Sequence, residues 1–124
     1  MSFSAYVSAT SPTTKTDAYI AYRDSATILD TPKERAWTGE TDTWGSQSEI
    51  PTASSPVRFV RVAYSPIETR SFEKIVITLS NDGYFDAYVF DGTNWTTTNN
   101  IGSSGTTVNV YKCYDVAYEM TSGK

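Results

Sequence analysis

Apolar positions along this chain follow a period of two far more often than a helical spacing. Glu73 to Ser80 (EKIVITLS) carries Ile75, Ile77 and Leu79 on one face, the pattern of a half-buried strand. Val57 to Tyr64 (VRFVRVAY) is apolar on both faces, which suits an inner strand covered from two sides. Asn81-Asp82-Gly83 follows the first of these runs. Such residues relax into the positive φ of a hairpin turn, so Tyr84 to Phe90 is expected to return antiparallel. Asp91-Gly92-Thr93-Asn94 makes the next turn, and Trp95 to Asn99 a short outer strand. The first part of the chain has the same order: Phe3 to Val7, Asp17 to Arg23, Lys33 to Thr38 and Trp44 to Ile50. After Ile101, the loop Gly102 to Thr107 leads to a last strand, Val108 to Tyr118. The expectation is two four-strand units plus one extra strand.

These units are related by an internal repeat. Val62-Ala63-Tyr64 returns as Val116-Ala117-Tyr118 at a spacing of 54. Trp37 and Phe90, Gly39 and Gly92, Trp44 and Trp95, and Ile50 and Ile101 recur at spacings of 53, 53, 51 and 51. A fainter copy opens the chain, where Ala5-Tyr6 leads to Asp24 over the 19 residues that separate Ala63-Tyr64 from Asp82. Four-stranded units of about 50 residues, with an aromatic-x-Gly turn before a Trp, have the form of a β-propeller blade. The fold class expected is therefore all-β, with antiparallel propeller-like blades at about 3–50 and 57–101 and an extra strand at about 108–118, all in one domain. A nine-stranded β-sandwich is the alternative that the same strand spacing permits.

Composition sharpens this. The 124 residues include nine Tyr, five Phe and three Trp, too aromatic for a disordered chain. Ser and Thr number 34, against two Leu and two Met, so long amphipathic helices have almost no raw material. There is no His and a single Cys113, which removes Ser-His-Asp triads, Cys-His dyads, His-bound zinc and an intrachain disulfide. The net charge of −4 contains no run of either sign. Nucleic acid is not an expected partner, since phosphate binding needs a basic stripe. No apolar stretch reaches the roughly 18 residues of a membrane span. The opening MSFSAYVSATSPTTK has neither a basic first segment nor a continuous apolar run, so no signal peptide is expected in this chain. Abundant Thr, Ser, Tyr and Asn suit an extracellular or cell-surface location.

Glu34-Arg35-Ala36-Trp37-Thr38-Gly39 followed by Trp44, and Tyr88-Val89-Phe90-Asp91-Gly92 followed by Trp95, resemble the blade motif of small bacterial and fungal propeller lectins. That resemblance covers about half of each unit. It implies two-blade chains that trimerise into six-bladed, fucose-binding rings, with an Arg on the second strand, a Glu on the third and a Trp near the fourth holding the sugar. Glu34 matches the Glu position, and Trp44 or Trp95 lies near the Trp position. Ile20 and about Thr78 stand at the Arg position, and Asp86 or Ala87 at the second Glu. Tyr22-Arg23-Asp24 and Val116 to Gly123 also look like segments of tandem repeats in long bacterial and archaeal surface proteins, a resemblance that implies no activity.

The candidate chemistry is aromatic. A Trp face stacks on the C–H face of a sugar while a neighbouring carboxylate or amide fixes hydroxyls, so Trp44 with Glu34, or Trp95 with Asn94, are the candidate ligand-binding pairs. The competing reading has Trp37, Trp44 and Trp95 packing between neighbouring units, since a repeat buries the same face each time. Glycoside hydrolysis needs two paired carboxylates, and Glu34, Glu73, Asp82 and Asp86 are available. Most of these sit at turns or on alternating strand faces where a solvated carboxylate is ordinary, so no catalytic residue is assigned. Asn81, Asp82 and Asp86, or Asp91 and Asn94, offer oxygens, but neither set has the calcium-loop spacing, and neither a metal nor a cofactor is expected. Cys113 aligns with Phe59 and reads as a buried thiol. The functional expectation is a non-enzymatic surface or scaffold module. It associates with itself, as a trimer by the lectin resemblance, or with neighbouring repeats, and exposes loops such as Ser25 to Pro32 and Gly102 to Thr107. A glycan-binding lectin is the alternative.

Overall fold

The computed structural model describes residues 3–8, 17–23, 31–70, 72–105 and 114–119. Among these, all regular structure is antiparallel β apart from one short 3-10 turn, Glu68–Arg70. Strands β1 (Phe3–Ser8), β2 (Asp17–Arg23), β3 (Pro32–Thr38) and β4 (Thr43–Trp44) follow one another as a meander, and β5 (Ser48–Glu49) pairs with β3 beside β4. A second meander contains β6 (Val57–Tyr64), β7 (Lys74–Ser80), β8 (Tyr84–Phe90) and β9 (Trp95–Ser103). Neither sheet closes on itself.

The turns form where Asx and Gly were expected to make them. Gly83 takes φ 87° and donates its N–H to Ser80 O at 3.0 Å. Gly92 takes φ 100°, and Asp91 Oδ1 accepts from the N–H groups of Thr93 and Asn94 at 2.8 and 2.7 Å. In the first sheet the matching hairpin is made differently. Positive φ falls on Asp42, at 52°, and Gly39 has no such role. Residues 45–47 leave the ladder, with Gly45 donating its N–H to Ala36 O at 2.7 Å and accepting from Arg35 Nε at 2.9 Å. The single strand expected from Trp44 to Ile50 is therefore two short ones.

The extra strand expected at 108–118 is corrected in part. Residues 106–113, Cys113 among them, lie outside the described residues, and Tyr114–Glu119 belongs to neither sheet. That segment runs over the outer face of the second sheet. Tyr114 donates its hydroxyl to Ile77 O at 3.0 Å and sets its ring edge-on to Phe85, while Asp115 lies 3.3 Å from Arg61 Nε. Side-chain anchoring replaces ladder pairing here. It also explains why β6 is apolar on both faces although it lies at the edge of its sheet: Val60 and Val62 turn to the core and Ala63 toward Val116 and Tyr118.

The two sheets meet through β1 and β2 of the first and β6 of the second. Tyr19 and Ala21 join Val57, Val60, Val62, Val76 and Tyr88 in one buried cluster, closed by Ile50 and Ala53 from the connecting segment. Ile101, the repeat counterpart of Ile50, is exposed. Asp86 fixes the connection. This buried carboxylate accepts from both the N–H and the hydroxyl of Ser54 at 2.8 Å, and from the N–H of Asn100 at 2.8 Å. Asn100 sits at φ 55° in a bulge opposite Asp86, and the ladder resumes beyond it at Gly102, so β9 is longer than its sequence suggested.

Removing Asp86 takes the shared acceptor from the N–H groups of Ser54 and Asn100 and from the Ser54 hydroxyl, a loss of about 3 kcal/mol on the scale of charge-assisted hydrogen bonds. Asp86→Ala is expected to lower unfolding free energy by about that amount in urea titrations, and Asp86→Asn by less, since its amide keeps one acceptor. Equal stability of all three proteins would show that Ser54 and Asn100 do not depend on this carboxylate.

Candidate functional site

Register decides where the candidate residues fall. In the second sheet Tyr64, Lys74, Phe90 and Trp95 lie in one row across β6 to β9. In the first, Ala21, Glu34 and Ser48 form a row across β2, β3 and β5. Side chains alternate between faces, and both rows point into the space between the sheets. There Lys74 Nζ donates to Glu34 Oε2 at 3.0 Å, with side-chain exposures of only 9% and 13%. Tyr19 donates its hydroxyl to the same carboxylate oxygen, and Ser48 donates to Oε1 at 2.9 Å. The ammonium lies 4.0, 4.7 and 5.2 Å from the ring centroids of Tyr19, Phe90 and Trp95. Tyr19 also meets Tyr64 edge to face at 5.5 Å.

Glu34 and Trp95 are thus brought to one place, with Lys74 between them. Sequence reasoning missed Lys74. The signal available was a cation directly ahead of the alternating run Ile75, Ile77, Leu79, on the opposite face from those residues. Trp44 goes elsewhere. It pairs with Trp37 across β3 and β4, ring centroids 5.6 Å apart, on the face of the first sheet turned away from Glu34, and is 45% exposed. Phe90 and Trp95 form the same cross-strand pair at 5.1 Å in the second sheet, but facing the interior. Asn94 is an exposed turn residue whose N–H is held by Asp91.

The remaining carboxylates are dispersed. Glu73 is paired with Arg70, Asp82 accepts from the N–H of Tyr84 at 3.3 Å, and Asp86 is the buried clamp of the connection. Among the described residues no group of three or more His, Cys, Asp or Glu gathers to hold a metal ion. A cleft of about 380 Å³ opens between β6 and the 114–119 segment, lined chiefly by Val62, Tyr64, Pro66, Val116 and Tyr118. None of the candidate residues reaches it.

Burial sets the titration of this region. It lowers the Lys74 pKa, opposed by the charge and hydrogen bond of Glu34. It raises Tyr19 well above the ordinary phenol range, with the Glu34 charge adding to the effect, and it also raises Tyr88 and Tyr118. A phenol whose folded-state pKa exceeds its unfolded value contributes stability that is intact below about pH 10 and lost above it. The expected result is alkaline unfolding above about pH 10, with part of the tyrosinate absorbance of the nine Tyr appearing only in that cooperative step. A single non-cooperative titration of all nine would contradict it.

The ion pair supplies a second test. Truncating one partner of a buried pair strands the other charge, at about 3 kcal/mol or more. Glu34→Ala, which strands Lys74, is expected to cost about that much in urea unfolding. Lys74→Met should cost less, because Glu34 keeps the Tyr19 and Ser48 hydroxyls and Met keeps the aromatic packing. The reverse order would mean that Lys74, not Glu34, is the member whose charge the interface tolerates.

Comparison with protein-family models, with curated proteins and with solved structures finds no match for this chain.

Proposed function

We propose that this protein is a non-enzymatic surface or scaffold module built of two blade-like β units, which associates with copies of itself or with neighbouring repeats and presents its loops for recognition. The observation that carries this reading is the engagement of Glu34 and Trp95. Both belong to the candidate sugar-binding set, and both are taken up in the contact between the sheets, where Glu34 is paired with Lys74 and Trp95 lies beside the same ammonium. Among the described residues the large apolar groups left exposed are Trp44 on the first sheet, Tyr84, Val89 and Ile101 on the second, and Phe72 just ahead of β7. Exposed apolar groups on the sheet faces offer contact area for association with another copy or a neighbouring repeat. The dispersed carboxylates support the non-catalytic part, since acid–base hydrolysis needs two of them facing one substrate.

A glycan-binding role would have to run through Trp44, which is exposed beside Trp37 but lies across the sheet from Glu34. A glycan array together with size exclusion and light scattering separates the two readings. The expected outcome is no glycan binding and a mass above the 13.7 kDa of one chain. Millimolar-or-better binding to a glycan, lost in a folded Trp44→Ala variant, would replace the scaffold reading with the lectin one.

A further inference from the structure

The interface inside the molecule is asymmetric, and among the described residues each sheet keeps one face out of it. The second sheet contributes the face that carries its aromatic pair, Phe90 and Trp95, with Val76 and Tyr88 in the next row. The first sheet receives it with its opposite kind of face, where Tyr19 and Ala21 stand across from Ala36 and Glu34. Each unused face repeats what the other sheet uses. On the first sheet, the pair Trp37 and Trp44 points away from the interface, with Ile20 opposite Arg35 in the next row. On the second sheet, Ile75 stands across from Val89, and Ile77 from Ala87. Counted from the aromatic pair, these are the register positions of Tyr19 with Ala36 and of Ala21 with Glu34. The free faces therefore correspond in register to the two buried ones, with Arg35, Ala18 and Ala87 where the buried faces carry Tyr88, Lys74 and Glu34.

We infer that the free face of the first sheet, centred on Trp37 and Trp44, docks on the free face of the second sheet, centred on Ile75 and Val89, of another copy of this chain, continuing the internal stacking from molecule to molecule. The inference rests on the self-association proposed above and names its surfaces. The side chains fit the role. Trp44 is 45% and Val89 40% exposed, and Ile20, Trp37, Ile75 and Ile77 are each half-buried. The segment Tyr114–Glu119 crosses the second face from β8 to β6, over Phe85, Ile77 and Arg61, and Val89, beyond it, stays exposed. The intermolecular contact would also avoid the internal ion pair, since Ala18 stands opposite Trp37 where Lys74 stands opposite Phe90, and Ala87 stands in place of Glu34. Trp37, Trp44 and Ile20 would meet Ile75 and Val89 at the centre, with Arg35, whose Nε is already used by Gly45 O, in the row beside them.

Such a contact is head to tail, using two different patches, and this gives it a distinctive test. Trp44→Glu disables one face and Val89→Glu the other, both at exposed positions. The expected result by light scattering is that the wild-type chain associates and each variant is a monomer, with circular dichroism unchanged. An equimolar mixture of the two should form a dimer and nothing larger, joined through the one intact face of each. Trp44→Arg and Val89→Arg repeat the test with opposite charge should either Glu variant fail to fold. If the wild type associates but one variant still does, or the mixture stays monomeric, this interface is wrong while self-association stands. A wild-type chain that is monomeric at every concentration overturns both.

Discussion

Lys74 joins the two sheets, and its burial explains much of what surrounds it. An ammonium can leave water only if its charge is met and its donors are used. Glu34 meets the charge from the opposite sheet, while Tyr19, Phe90 and Trp95 offer their negative ring faces. The same carboxylate must then satisfy Tyr19 and Ser48, which ties β2, β3 and β5 to the end of β7. A single charge placed between the sheets therefore selects their relative register. Sliding one strand by one residue would turn Lys74 or Glu34 to the wrong face and strand the other.

Asp86 performs a related task at the other end of the interface. Its partners, Ser54 and Asn100, belong to the connection between the sheets and to the bulge in β9, two irregular segments that would otherwise leave backbone donors unpaired. The connection is pinned further by Ile50, which donates its N–H to Pro32 O, and by Asn81, which donates to Pro56 O. Polar anchoring at both ends lets a small apolar cluster, rich in Val and poor in Leu, hold two sheets together. Two of the four carboxylates that were available for chemistry, Glu34 and Asp86, are in this way each engaged by three donors that join separate segments.

Much of the fold was legible. The strands Asp17–Arg23, Val57–Tyr64 and Tyr84–Phe90 fall at the bounds that alternation and turn chemistry indicated, because both signals act over a few residues. The 3-10 turn at Glu68–Arg70 was not anticipated; Ser65 flanks it, its hydroxyl accepting from the Ile67 N–H at 3.3 Å and its own N–H donating to Glu73 O at 3.0 Å, a long-loop closure that alternation does not register. The division of Trp44 to Ile50 into two strands depends on Arg35 binding Gly45 O from the neighbouring strand, and the extension of β9 depends on Asp86. The candidate site was legible only as a set of residue types. Glu34, Trp44, Trp95 and Asn94 were picked for what they can do. Register then put two of them on the inner surface, one on the outer surface and one in a turn.

The sequence by itself determined where the chain extends, where it reverses, and which chemistries it lacks, since period, Asx-Gly turns and the absence of His are local or countable properties. The tertiary structure alone decided which face of each sheet meets the other. Alternation divides a strand into two sets of side chains but does not say which set is turned inward. In the two sheets the answer is opposite for the same aromatic pair: Phe90 and Trp95 are turned in and Trp37 and Trp44 out. That choice follows from stacking one twisted sheet on the next in a fixed direction, a constraint set by contacts between segments 40 residues apart, as Glu34 and Lys74 are.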